Sequence, residues 1–180
     1  MKRTYWLYLP LVALVTLSSC KKDNKDPEPD ENELITTVEL TLKAGNETAK
    51  VFTWNDPDGD GGNAPVITPI SLDKGKTYTY SLRFLDESKS PIEDITEEIQ
   101  EKKDEHLVIF TPTPSSLLTV TITDKDSKNL NVGLAGTIQT QSSAGTGKLK
   151  IQLRHQPGTK DGTATPGSDD ANIDFDVEIK

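Results

Sequence analysis

From Leu34 onward, apolar and polar side chains alternate with a period of two, the pattern of strands that bury one face. Val38, Leu40 and Leu42 share one side of the first strand, with Glu39, Thr41 and Lys43 on the other. The same alternation predicts short strands over 51–54, 66–72, 77–85, 107–110, 117–123, 131–140, 148–155 and 173–179. Tyr78, Tyr80, Leu82 and Phe84 point inward from one of them, Leu118, Val120 and Ile122 from a second. Leu149, Ile151 and Leu153 do so from a third, and Ile173, Phe175, Val177 and Ile179 from the last. Gly133 and Gly136 interrupt 131–140 and predict a bend or bulge there. Eight or nine strands separated by Gly, Pro, Asn and Asp define an all-β class, an antiparallel immunoglobulin-like β-sandwich. One helix breaks the series. Ile92, Ile95 and Ile99 share a helical face over Pro91–Lys102, with Ser90 as N-cap, Pro91 as the first helical residue and Glu93 completing a capping box. A hairpin turning near Lys103 is the rival reading.

Ahead of Leu34 the pattern is different. Lys2 and Arg3 precede an apolar run from Tyr5 to Val15, which ends in Leu17-Ser18-Ser19-Cys20. A membrane-spanning helix needs about 20 apolar residues; this run is shorter and contains Pro10. The one cysteine of the chain stands where a lipoprotein signal peptidase cleaves, so Cys20 reads as the lipidated N-terminus of the mature protein. A plain secretory signal with a coincidental cysteine is the alternative. Acyl chains there would bury CH2 groups at about 0.8 kcal/mol each, enough to hold the protein to a membrane. Residues 1–19 are then the signal peptide, 20–33 a lipidated start and flexible acidic tether, and 34–180 the β-sandwich domain.

Charge narrows the range of partners. The chain has 20 basic and 29 acidic residues, a net charge of −9, and removing the signal takes away two of the basic ones. Nucleic acid, which demands a basic face, is not expected. With a single cysteine no intrachain disulfide can form, so stability must come from the core.

Three clusters are candidates for chemistry. In Asn55-Asp56-Pro57-Asp58-Gly59-Asp60-Gly61, Asp56, Asp58 and Asp60 reproduce the first half of a calcium loop, with carboxylates at alternate positions and a glycine for the turn. The position that should supply a closing Glu is Ile67, so calcium would need an outside carboxylate, from Asp124 or Asp126 or from Asp169-Asp170. The competing reading is a glycine-rich loop whose aspartates cap turns. Asp104, Glu105 and His106, together with His155 near the end of a strand, could hold zinc, copper or iron if the fold brings them together. Lone histidines at strand ends also simply bond neighbouring loops. Trp54 beside the aspartate loop is either a ligand contact or a core residue. The chain has no nucleophile elbow and no glycine loop for phosphate, and an enzyme is not expected.

Several blocks carry a family resemblance. They are Phe52-Thr53-Trp54-Asn55-Asp56-Pro57-Asp58-Gly59-Asp60-Gly61-Gly62, Phe84 to Pro91 with Glu93 to Ile99, Asp104-Glu105-His106, and Leu153-Arg154-His155-Gln156-Pro157. With them the chain resembles small lipoproteins of Bacteroidetes-type bacteria whose members are often labelled "type 1 periplasmic binding fold superfamily protein". The two α/β lobes of that label need about twice this length, and the strand pattern argues against them. The resemblance implies an accessory lipoprotein of the outer membrane, on its periplasmic face or at the cell surface, working beside a TonB-dependent receptor that imports a metal chelate or another nutrient. Lys21 after Cys20 resembles lipoproteins sent to the outer membrane, and Lys21-Lys22-Asp23 resembles signals of surface-exposed ones. The alternative is a structural or adhesive envelope lipoprotein with a calcium-holding acidic loop.

Overall fold

The computed structural model describes residues 33–59 and 61–180. The expectations for the signal, Cys20 and most of the tether lie outside the described residues, as does Asp60. Among the described residues no helix is long and apolar enough to cross a membrane.

The alternating segments form strands β1 (Thr37–Lys43), β2 (Lys50–Asn55), β3 (Val66–Ile67), β4 (Ile70–Leu72), β5 (Thr77–Asp86) and β6 (Glu93–Asp94). Helix α1 (Ile95–Glu101) follows, then β7 (His106–Thr113), β8 (Leu118–Ile122), β9 (Ala135–Thr140), β10 (Gly145–His155) and β11 (Ser168–Ile179). They build two sheets. The first runs β3-β2-β1-β5-β9-β8, with β6 added to β5; the second runs β4-β11-β10-β7. The domain is therefore an all-β sandwich with one short helix.

Burial follows the alternation. Val38, Leu40 and Leu42 of β1, Tyr78, Tyr80, Leu82 and Phe84 of β5, and Ile138 of β9 join one buried cluster with Leu149, Ile151 and Leu153 of β10 and Ile173, Phe175, Val177 and Ile179 of β11. Each such side chain contributes roughly 1.5–3 kcal/mol by leaving water. The Tyr80 ring meets Phe110 of β7 edge to face at 5.0 Å, and its hydroxyl donates to the Gly133 carbonyl at 3.3 Å, joining the two sheets.

Three expectations need correction. The predicted strand over 66–72 is two strands in different sheets: β3 pairs with β2, and β4 pairs with β11. The chain crosses between them at Thr68-Pro69, where proline has no N–H to continue a ladder. The β4–β11 pairing is parallel, so the sandwich is not wholly antiparallel. The helix begins at Ile95, capped by Asp94, whose carboxylate accepts the Thr96 amide at 3.1 Å; Ser90 and Pro91 are not its cap and first turn. Pairing of Glu93 and Asp94 with Asp86 and Leu85 holds that segment extended. Ile95 and Ile99 are buried as the helical face predicts, while Ile92 stays exposed.

Candidate functional site

The register of the second sheet decides which chemistry-bearing residues meet. His155, last in β10, is the direct cross-strand partner of His106, first in β7. Directly opposed residues point to one face, and the two imidazoles stack at a centroid distance of 4.8 Å with only 5° between their planes. On the other side of β10 the ladder slips: Leu153 pairs with Ala171, but Arg154 pairs with Asp169. Asp170 is therefore the extra residue of a β-bulge, a feature that re-aims a side chain and often does so beside functional sites.

The bulge has a chemical result. Asp169 stays on the outer side, bound to Arg154 Nη1 at 2.6 Å, while the Asp170 side chain turns inward and is fully shielded from solvent. One glycine permits this close approach. Gly167, at φ +75°, sits where a Cβ would lie 1.8 Å from the His155 carbonyl oxygen. Beyond it, the buried Gln156 ties the 156–167 loop to itself, donating to the Thr163 and Pro166 carbonyls at 2.8 and 3.0 Å.

The result is a group of His106, His155 and Asp170 whose nitrogen and oxygen atoms all lie within 4.8 Å of one another. His106 Nδ1 is 3.1 Å from the Lys102 carbonyl at the C-terminal end of α1. A carbonyl only accepts, so Nδ1 carries the proton and the lone pair of the neutral ring is on Nε2. That lone pair faces the Asp170 carboxylate, with Nε2 and Oδ2 3.7 Å apart. His106 Nε2 and His155 Nδ1 are buried without a hydrogen-bond partner, and the Asp170 carboxylate has the Glu33 backbone amide beside it but no side-chain donor. Burial holds the His106 imidazole neutral, pushing its pKa down to about 4, and pushes the Asp170 carboxyl up to about 6. Glu33 beside them carries a carboxyl raised by burial and by the neighbouring Glu98.

Asp170 also forms part of the wall of an open cleft of about 360 Å³, together with Glu33, Trp54, Asp56, Asp169 and Asn172. Trp54 is thus both an expected core residue and an expected ligand contact: half-buried against the core cluster and facing the cleft. Glu33, assigned from sequence to the tether, lines the same cleft.

The other sequence candidates are placed differently. Asp58 is turned onto its own loop, accepting from the Asn63 amide at 3.0 Å and from Asn63 Nδ2 at 2.6 Å. Asp56 is buried at the cleft. Of the outside carboxylates considered for calcium, Asp124 accepts the amides of Gly133 and Leu134 at 3.0 and 2.9 Å. Asp126 pairs with Lys160 at 2.9 Å, and only the Asp169-Asp170 pair reaches the cleft with Asp56. Asp104 and Glu105 do not join the histidines: the Asp104 carboxylate accepts from the Ser127 amide at 2.8 Å and from its hydroxyl. The Glu105 carbonyl accepts from the Gln156 amide at 2.6 Å. The carboxylate that meets the histidines is Asp170, which strict alternation along β11 places outward. Its one signal in the sequence is that Ser168-Asp169-Asp170-Ala171 breaks the apolar alternation that holds from Ile173 to Ile179.

No protein-family model matches the chain, and neither a curated protein nor a solved structure matches it.

Proposed function

We propose that the chain is a lipid-anchored accessory binding protein of the outer membrane, partnering a TonB-dependent receptor in uptake of a metal chelate or another nutrient. The sandwich serves in this reading as an immunoglobulin-like scaffold that presents ligand-binding groups at one end, and no reaction is assigned to it. The lipobox ending in Cys20 and the family resemblance supply the location. The observation that carries the binding role is the cleft itself, where the aromatic face of Trp54 and the exposed Leu34 stand among the acidic Glu33, Asp56, Asp169 and Asp170. Two apolar side chains set among convergent acidic residues make a largely polar cleft, and the sign of these charges suits a cationic or metal-bearing ligand.

The test is made in intact cells. A photocrosslinker at position 34 is expected to capture an outer-membrane barrel, and Leu34→Lys to weaken growth only when the imported nutrient is scarce. Growth lost equally on every nutrient source, with no barrel captured, would replace this reading with the structural or adhesive one. That second reading rests on Asp56 and the Asp169-Asp170 pair lining one cleft, and it expects calcium to raise the melting temperature.

A further inference from the structure

The His106, His155 and Asp170 group sets two ring nitrogens without partners beside a buried carboxylate that only the Glu33 backbone amide supports. With Nδ1–H directed at Lys102, His106 aims a lone pair at a carboxylate, acceptor against acceptor, in a space closed to solvent. A shared proton does not bridge 3.7 Å, since hydrogen bonds of this kind span about 2.7–3.2 Å. A cation between them does. Two metal–ligand bonds of about 2.0–2.1 Å reach across as much as ~4.1 Å, so the observed separation is within span. In a tetrahedral site with such bonds the ligand atoms stand about 3.4 Å apart, so a pair near the 4.8 Å limit of the group must close by about 1.5 Å. The bond from His106 Nδ1 to a backbone carbonyl is the outer support that metal-binding histidines ordinarily have, and it fixes the tautomer that leaves Nε2 free to coordinate.

We propose that His106 Nε2, His155 Nδ1 and Asp170 form a binding centre for a divalent transition-metal ion, one of the stacked rings turning on binding so that both in-plane lone pairs meet the ion. Two imidazoles and one carboxylate suit zinc, iron(II), copper(II) or nickel. They do not suit calcium, which takes six to eight oxygens, and no thiolate is present to favour copper(I). Three protein ligands leave a zinc site open at a fourth position, which a water can fill. This centre stands independently of the receptor partnership: a metal measured in the isolated protein neither needs nor demonstrates a barrel.

The experiment uses the full chain without a histidine tag, purified in detergent and stripped with chelator. Zinc(II) is titrated by calorimetry, and cobalt(II) is followed by its visible ligand-field bands, which report a low-coordinate nitrogen and oxygen site directly. One equivalent is expected to bind, and zinc at 100 times its dissociation constant should raise the melting temperature by roughly 5–10 °C. Asp170→Asn and His155→Gln should each weaken zinc by more than the ~10–100-fold that loss of an outer-shell partner costs, and each should abolish the cobalt bands. Excess calcium should not displace either ion. Absence of a one-equivalent site in the unsubstituted protein overturns the proposal without reference to any variant. So does zinc binding that is equal in the unsubstituted chain and in folded Asp170→Asn, which would place the ion on the acidic surface.

Discussion

A carboxylate shielded from water opposite an imidazole lone pair is unfavourable unless something sits between them, and Asp170 holds that position in the sandwich. In the metal-free protein its charge therefore costs stability. Asp170→Asn keeps the shape and replaces the charge with an amide that can donate to His106 Nε2. The metal-free variant is expected to be more stable than the unsubstituted protein at neutral pH by roughly 1–2 kcal/mol, measured by urea denaturation. Unchanged or lower stability would mean that the carboxylate has a partner in solution. A residue that costs stability where function needs it is the ordinary trade-off at a binding site. At this scale the sequence was partly legible. His106 and His155 stand out as the two histidines of the chain, each at a strand end, but nothing in their spacing reveals that β7 and β10 pair with these two residues opposed. Asp170 was hidden more deeply, because a bulge shifts the inward face by one residue and the period-two rule then assigns the wrong aspartate.

Loop contacts join the elements as well as those made within the strands. Lys160, in the loop after β10, is buried with its ammonium 2.9 Å from Asp126 and 2.8 Å from the Lys103 carbonyl. Asp126 in turn accepts the amides of Lys128 and Leu130 at 2.9 and 2.8 Å. One ion pair thus fastens the 156–167 loop to the 124–131 loop and to the turn that leads into His106. Burial opposes the Asp126 charge, but Lys160 and the two amides outweigh it and hold the carboxyl below its ordinary value of 3.8. Since the folded pKa is depressed, the stabilisation is fully present above about pH 4 and is lost as pH falls through the folded value. Lys160→Met strands that carboxylate and is expected to cost about 3 kcal/mol at pH 7 in urea denaturation. The variant should also lose the added acid sensitivity below pH 4, so the two stability curves converge there. Parallel curves at all pH values would show that the pair contributes nothing through its charge. The helix illustrates the same limit of local reading: Ile95 and Ile99 were legible as its buried face, while its start was set by the pairing of β6 with β5, a contact across the chain that no capping pattern contains.

For the whole molecule, the two-sheet class was legible because β1, β5, β10 and the 173–179 part of β11 alternate cleanly, and a period-two pattern of that length buries one face in few other ways. Which strand enters which sheet was not, since Val66 to Leu72 reads as one continuous run and divides between the two sheets at Pro69. The cleft begins at Glu33, thirteen positions after Cys20, at most about 45 Å of chain at full extension. If Cys20 is acylated, the cleft is confined to a shell around the membrane in which a membrane-embedded partner is present at high effective concentration. Anchoring and metal binding are then separable. Cys20→Ser is expected to abolish metabolic labelling with palmitate and to release the protein from membranes into the soluble envelope fraction. The same substitution should leave zinc affinity unchanged, because the metal ligands lie on β7, β10 and β11. If the proposed receptor partnership holds, it should nevertheless impair growth on the scarce nutrient, since the cleft would no longer be held near the membrane. Palmitate label that persists in Cys20→Ser would remove the anchor from this account, and full growth without the anchor would remove the need for proximity.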